Sequence, residues 1–122
     1  MRLYMRQAAA LRCVLGSLLL PAATLLLAGV PAQAAEPSVS LELKAHHFTP
    51  AVVTIPANTR VRFVVKNADP TPAEFESDDF KAEKVLPSGQ EVSIFIGPLK
   101  PGTYEFHDEY NEDVSKSRLI VK

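Results

Sequence analysis

Carboxylate side chains are concentrated in the segment 67–80, which reads NADPTPAEFESDDF. Its acids are Asp69, Glu74, Glu76, Asp78 and Asp79, and Glu83 follows closely. Without a counter-charge these groups repel one another, and burial of any one of them drives it toward protonation. A bound divalent cation would remove that penalty and let the interleaved Phe75 and Phe80 cover the site. We therefore expect a metal site, with Glu76 and Glu83 as the preferred ligands; the alternative is an acidic, solvated loop.

Imidazole ligands could come from the three histidines, His46, His47 and His107. Alternation along the first strand would carry His47 inward, yet Phe48 must also be buried. We therefore predict a bulge near His46 and His47, where the phase of the strand slips. The alternative to a ligand is a partly buried histidine that hydrogen-bonds to a loop carbonyl.

His107 lies in the run TYEFHD, whose alternation places Tyr104 and Phe106 on the core side. The same alternation carries Asp108 inward and turns His107 away from the core. We therefore predict that His107 is a solvated strand residue and not a ligand.

Sulfur ligands are confined to the N-terminal segment, because the cysteine is Cys13 and the two methionines are Met1 and Met5. A site built after that segment has oxygen and nitrogen ligands alone. Such ligands suit iron, manganese, zinc or Cu(II), and they do not suit Cu(I).

The N-terminal segment has the pattern of a secretory signal peptide. Basic residues precede an apolar run from Cys13 to Val30, and Ala32-Gln33-Ala34 is a small-x-small cleavage pattern. We predict cleavage after Ala34, a domain spanning 35–122 and a periplasmic location. An uncleaved membrane anchor is the alternative, although Pro21 interrupts the apolar run. The remaining chain is net acidic, which disfavours nucleic acid as a partner and suits cations.

Short alternating runs dominate the rest of the chain. Each is rich in β-branched or aromatic residues and is bounded by Pro, Gly, Asn or Asp, as in SVSLEL, RVRFVVKN and EVSIFI. Six or seven such strands in so short a chain favour an all-β sandwich or a small barrel. The segment 69–89 shows no such pattern, and a connection of that length in a compact domain is usually functional.

Two stretches resemble the cupredoxins. FTPAVVTIPANTRVRFVVKNADPTP is similar to their opening strands, and LKPGTYEFHDEYNEDVSKSRLIVK is similar to their closing hairpin and metal loop. The run DPTPAEFES, together with Glu83-Lys84, IGPLKPGTYEF and Glu109-Tyr110, resembles more closely the EfeO-type cupredoxin-like domains. The resemblance covers nearly all of 35–122 and implies a cupredoxin-like Greek-key β-sandwich.

The resemblance also implies a ligand set and shows where this chain departs from a blue-copper centre. Glu74 stands where those proteins place their first histidine, and Asp108 stands where they place the cysteine. A thiolate copper centre is therefore excluded. The resemblance adds Glu74, Glu109 in the metal loop and His46, which we rank above His47, to the candidate ligands.

The resemblance implies a role in bacterial ferrous-iron uptake, beside an iron-transport permease and a companion periplasmic iron-binding protein. The expected cofactor is a copper or iron ion, and the expected role is assistance in Fe(II) oxidation or delivery of iron to the permease. The alternative is a non-catalytic metal chaperone, or a metal-free cupredoxin fold that binds a protein partner.

Overall fold

A computed structural model describes residues 29–122 of the chain. The chain divides into two units, Met1–Ala32 and Gln33–Lys122, and the second unit carries all of the secondary structure given below. Most of the predicted signal peptide lies outside the described residues, so its cleavage stays a prediction. Within residues 29–122, no helix is both long enough and apolar enough to cross a membrane.

Nine strands and two short helical turns make up the described part of the chain. The strands are β1 Ser38–Lys44, β2 His47–Thr49, β3 Val52–Ile55, β4 Val61–Asn67, β5 Ala73–Ser77, β6 Ala82–Leu86, β7 Glu91–Ile96, β8 Gly102–Asp108 and β9 Ser117–Val121. A 3₁₀ helix, Glu109–Asn111, and a helix α1, Glu112–Ser115, lie between β8 and β9. The predicted all-β fold class is confirmed.

The strands form two sheets, ordered β2-β1-β4-β7 and β3-β9-β8-β5-β6. The β1–β4 and β3–β9 pairs are parallel, and the other pairs are antiparallel. Neither parallel pair is consecutive in sequence, so the chain crosses between the sheets as in a Greek-key sandwich. The interpretation of 69–89 as one irregular connection was wrong, because this segment contains the β5–β6 hairpin.

Aromatic rings from both sheets fill the centre of the sandwich. Phe75 stacks on Phe106 with a centroid distance of 5.2 Å, and Phe48 contacts both rings edge-on at 5.9 and 5.4 Å. Phe63 meets the same two rings from β4 at 6.3 and 6.4 Å. Edge-to-face and offset pairs of this kind add to the stabilisation that burial itself provides.

Strand alternation predicts ten core residues, and most of them are buried. The buried ones are Phe48, Val61, Phe63, Val65, Ile94, Phe106, Leu119 and Val121, whereas Val92 and Tyr104 are partly buried at the margin of the core. Phe75, predicted only as cover for a metal site, is a fully buried member of the core.

A two-residue hairpin turn, not a bulge, changes the strand phase near the histidines. Ala45 and His46 both have positive φ, 49° and 61°, and Lys44 pairs with His47 across the turn. The turn points His47 outward and Phe48 inward. The strand phase therefore changes near His46 and His47 as predicted, but the prediction of a bulge was wrong.

Candidate metal centre

Strand β5 carries its acidic side chains on the outer face of the second sheet. Ala73, Phe75 and Ser77 are buried, and the alternate residues Glu74 and Glu76 are half-buried. Alternation therefore separates the apolar and acidic residues of the AEFES run onto two faces of one strand. This is how the same short segment supplies both core and carboxylates.

The register of the neighbouring strands places three candidate ligands in one row across the outer face. Glu76 lies opposite Glu83 of β6 on one side and opposite His107 of β8 on the other. Directly opposed residues on one face of an antiparallel pair have their Cβ atoms about 4.5–5.5 Å apart. Backbone hydrogen bonds between the paired strands therefore fix the positions of these three residues relative to one another.

Two members of this row, Glu76 and His107, lie close to Glu109 of the 3₁₀ helix. One ligand atom each from Glu76, His107 and Glu109 lies within 4.8 Å of the other two. Nε2 of His107 is 3.1 Å from Oε2 of Glu109. This is the group of three histidine, cysteine or acidic side chains in the 29–122 range that is compact enough to hold one metal ion.

The interpretation of His107 as a solvated strand residue was wrong, because its side chain is buried with only 6% of its surface exposed. Alternation correctly gave the face of β8 on which His107 lies. It could not show that the 3₁₀ helix and α1 fold back over this end of β5 and β8. The sequence did carry one signal for a ligand pair here. Glu109 follows His107 by two residues, at the point where β8 ends.

Negative charge is concentrated around Glu76. Burial, together with the nearby carboxylates of Glu109 and Asp78, raises the pKa of Glu76 above its ordinary value, and His107 partly opposes this effect. The raised pKa means that this environment disfavours the ionised form of Glu76 in the metal-free protein. A divalent cation between these groups would supply compensating positive charge.

Asp108 is a structural acceptor. Its carboxylate accepts hydrogen bonds from the backbone nitrogens of Glu74 and Tyr110, at 3.0 and 3.1 Å, and from the side-chain amide of Asn111 at 2.9 Å. The residue is completely buried. Its oxygens are therefore already engaged in holding the loop after β8.

Glu74 and Glu83 lie on the outer face beside the cluster and outside its compact group of three. Interaction with the Glu74 carboxylate raises the pKa of the Tyr110 phenol above its ordinary value. Glu83 lies across from Glu76 on the exposed strand β6. Both are placed to supply further oxygen ligands or charge.

The two N-terminal histidines lie apart from that group of three. His46 sits in the β1–β2 turn, where its backbone nitrogen donates to Asp69 at 2.9 Å and its Nδ1 lies 3.5 Å from the same oxygen. His47 is exposed on β2. Asp69, counted among the acids of the 67–80 segment, is buried and also accepts from the nitrogen of Ala45 at 2.6 Å. Asp69 therefore stabilises the β1–β2 turn.

The donors present on this face fit a metal bound by imidazole and carboxylate, and they do not fit a thiolate copper centre. Residues 29–122 contain no cysteine or methionine, and the position expected for the thiolate holds the fully engaged carboxylate of Asp108. One nitrogen and two oxygens suit divalent iron, manganese, zinc or copper.

Comparison with known proteins shows the family to which the chain is similar. Residues 17–121 match the family model described as a cupredoxin-like domain. An uncharacterized protein of Rickettsia prowazekii (strain Madrid E) is 37% identical over 83 residues, which cover 68% of this chain and 66% of that protein. The chain therefore spans slightly less than two thirds of that relative.

Solved structures share the fold at low sequence identity. A copper binding protein solved in the apo form is 24% identical, with a TM-score of 0.62 over 70% of this chain and 86% of that one. Auracyanin A, a blue copper protein of Chloroflexus aurantiacus, has a TM-score of 0.59 and 12% identity over 72% of this chain and 100% of its own. The periplasmic domain of cytochrome oxidase subunit II of Bradyrhizobium japonicum has a TM-score of 0.61 and 12% identity over 74% and 86%.

Proposed function

Because the chain belongs to the family of cupredoxin-like domains, we propose that it is a metal-binding protein whose ion is held by Glu76, His107 and Glu109. The convergence of these three ligand atoms within 4.8 Å carries the proposal. Two of the ligands stand on paired strands, where backbone hydrogen bonds fix their separation. Three protein ligands leave coordination positions open for water or a second ligand.

The proposed ion is copper or iron, as the similarity to the EfeO-type domains implies. Anionic oxygen ligands stabilise Fe(III) more than Fe(II), so a carboxylate-rich site makes bound Fe(II) easier to oxidise. Such an oxidation needs an electron acceptor, for which Cu(II) is the proposed candidate. The residues of this chain bind the ion and supply negative charge, with Glu74 and Glu83 adding to that charge from the same face.

We place this protein in the periplasm, in ferrous-iron uptake, with an iron-transport permease and a companion iron-binding protein as partners. The support is the signal-peptide pattern ending at Ala34 and the similarity of the run 69–77 to the EfeO-type domains. A strain that lacks the gene should accumulate less radioactive iron when iron is supplied as Fe(II). Equal accumulation with and without the gene would contradict the uptake role, but it would not contradict the metal site.

Titration of Cu(II) and of anaerobic Fe(II) into the full chain tests the site directly. We expect one equivalent to bind, and we expect His107→Gln and Glu76→Gln each to weaken binding by at least about tenfold, as loss of a ligand should. His46→Gln is the matched histidine control and should leave the affinity unchanged. Weakened binding in the His46 variant with unchanged binding in the His107 variant would move the site to the β1–β2 turn.

A second candidate function is a metal-free module that binds a protein partner. The buried carboxylate of Asp108, engaged at both oxygens, favours it because the family's thiolate position is converted here into a structural hydrogen-bond centre. Protein purified from the periplasm without an affinity tag separates the two candidates. Stoichiometric copper or iron supports the metal-binding function, and absence of binding in the titration supports the second.

A further inference from the structure

Strand β7 forms a free edge of the first sheet, because it ends the order β2-β1-β4-β7 and pairs with β4 alone. Its six residues, Glu91–Ile96, make it the longest of the four strands that end a sheet in the described part of the chain. The others, β2, β3 and β6, have three, four and five residues. An unpaired strand edge is a template for pairing with another chain.

The features by which proteins usually protect such an edge are missing from β7. They are proline, lysine, a bulge or a charge that points into the core. The sequence of β7, EVSIFI, contains neither proline nor lysine, and all six residues pair with β4 without a bulge. Its inward residues, Val92, Ile94 and Ile96, are apolar, and Phe95 on the outer face is half-exposed. The edge strand β6, in contrast, carries Lys84.

The backbone groups of alternate residues in β7 point to the free edge. The backbone nitrogen of Asn67 donates to the carbonyl oxygen of Gln90 at 2.9 Å, at the start of the β4–β7 ladder. Hydrogen-bonded residues alternate along an antiparallel pair, so the even-numbered residues of β7 turn their backbone groups toward β4. The odd-numbered residues, Glu91, Ser93 and Phe95, therefore direct their N–H and C=O groups away from β4. No backbone partner for these groups lies within residues 29–122.

We propose that the β7 edge pairs with the β7 edge of a second copy of this chain, antiparallel and across a two-fold axis at Ser93. In antiparallel pairing, a residue that turns both backbone groups to the edge exchanges two hydrogen bonds with a residue of the same kind. The register that satisfies all three places Ser93 opposite Ser93 of the second copy and Glu91 opposite Phe95 of the second copy. This pairing continues the four-stranded sheet from one copy into the other.

The side chains are complementary in this register. Val92 lies opposite Ile94 of the second copy, so apolar residues meet on the inner face. On the outer face, Glu91 lies opposite Phe95 of the second copy. The guanidinium of Arg60 stacks over that ring, 4.2 Å from its centroid. The carboxylate of one copy therefore meets the guanidinium of the other, and the two-fold axis repeats this contact.

Glu91 is available for that contact. It forms no ion pair within residues 29–122, and Lys66, opposite it on β4, donates its ammonium to the carbonyl oxygen of Gly89 at 2.6 Å. Arg60 is exposed and lies 3.3 Å from Glu36, in a surface ion pair of the kind that contributes little to stability. This charge complementarity favours a second copy of the chain as the occupant of the edge.

Charge reversal tests this register. Sedimentation equilibrium of the full chain, at low salt and with a chelator, measures the dissociation constant of the dimer, which should be weak because the interface is small. Glu91→Arg and Arg60→Glu each bring like charges together at both contacts and should each weaken dimerisation at least about fivefold. An equimolar mixture of the two variants should restore it, because a mixed dimer has opposite charges at both contacts. Glu42→Arg, on β1 away from the edge, is the matched control and should change nothing.

Amide hydrogen exchange locates the contact on the chain. The amides of Glu91, Ser93 and Phe95 should exchange rapidly in dilute protein and slowly at concentrations at which the dimer forms. Those of Val92 and Ile94, which bond to β4, should be protected under both conditions. Ser93→Pro removes the N–H at the two-fold axis and should abolish dimerisation, because proline is tolerated on an edge strand but cannot donate. Ser93→Ala keeps that N–H and should dimerise as the parent does.

A parent chain that stays monomeric at millimolar concentration would overturn the proposal. So would a dimer whose dissociation constant is the same in both charge reversals, or two folded, monomeric variants that do not associate when mixed. Circular dichroism of each variant checks that the fold is retained. The result is independent of the metal centre, because β7 belongs to the first sheet and the Glu76–His107–Glu109 cluster lies on the outer face of the second.

Discussion

The backbone nitrogen of Glu74 donates a hydrogen bond to Oδ1 of Asp108 across 3.0 Å, and so joins β5 to the end of β8. The same carboxylate accepts from Tyr110 and Asn111 in the loop that follows. The backbone nitrogen of Asp108 in turn donates to Oγ of Ser115 at 2.8 Å. These bonds hold the segment that positions Glu109 over the outer face of the sheet.

Removing this carboxylate should destabilise the protein strongly. Asp108→Ala leaves three donors without a partner, at a cost of about 1–3 kcal/mol for each buried one. Asp108→Asn keeps an acceptor oxygen for the two backbone donors and should lose less. The free energy of unfolding in denaturant measures both, with exposed Asp113→Asn as the control. A loss below about 1 kcal/mol for Asp108→Ala would show that the loop holds without it.

The aromatic cluster should dominate the stability of the sandwich. Phe75→Ala removes a fully buried ring that contacts Phe48, Phe63 and Phe106, and large-to-small changes of this kind cost about 3–5 kcal/mol. Phe95→Ala is the matched control, because that ring is 49% exposed beneath Arg60. We expect the control to lose about 1 kcal/mol or less. Comparable losses in the two variants would contradict the assignment of the core.

Alternation in the sequence was enough to predict much of the sandwich. Phe63 and Val65 are buried as the period of two requires, and so are Leu119 and Val121. The β5–β6 hairpin was missed because glutamate is uncommon in strands and conceals the alternation of Ala73, Phe75 and Ser77.

The β1–β2 turn and the cluster could not be predicted for a different reason. Two-residue hairpin turns are usually signalled by Asn-Gly or Asp-Gly, and Ala45-His46 carries neither. The turn is held by the carboxylate of Asp69, which lies in another loop of the chain. Likewise, the burial of His107 depends on the path of the chain after Asp108, which strand periodicity does not encode.

Processing of the N-terminus is a further prediction from the sequence. If the segment up to Ala34 is a signal peptide, protein isolated from the periplasm should begin at Ala35 or Glu36. N-terminal sequencing of periplasmic and membrane fractions measures this. A chain that begins at Met1 in the membrane fraction would indicate an uncleaved anchor.

The raised pKa of Glu76 predicts how stability of the metal-free protein depends on pH. The folded state binds the Glu76 proton more tightly than the unfolded state, whose carboxyl has an ordinary pKa near 4.5. Protonation of Glu76 therefore adds to the free energy of unfolding. This contribution is fully present below the ordinary pKa, and it is lost as pH rises through the pKa of Glu76 in the folded state.

Glu76→Gln removes this ionisation, so the metal-free variant should be more stable than the parent at pH 7. The advantage should shrink as pH falls through the raised folded pKa, and it should be lost below about 4.5, where the parent carboxyl is protonated in both states. Denaturant unfolding in the presence of a chelator at several pH values measures the difference. Glu42→Gln, on the exposed face of β1, is the control. An advantage that does not vary with pH would show that Glu76 acts through packing and not through charge.

Metal binding should reverse the effect of the same substitution. A ligand that binds only the folded state stabilises it by RT ln(1 + [L]/Kd), which is about 2.7 kcal/mol at a hundredfold excess over Kd. The parent should therefore gain stability when Cu(II) or Zn²⁺ is added, and Glu76→Gln should gain much less. Thermal unfolding with metal and with chelator measures both gains, and His46→Gln should gain as much as the parent. An equal gain in the parent and in Glu76→Gln, with no gain in His46→Gln, would place the ion at the β1–β2 turn.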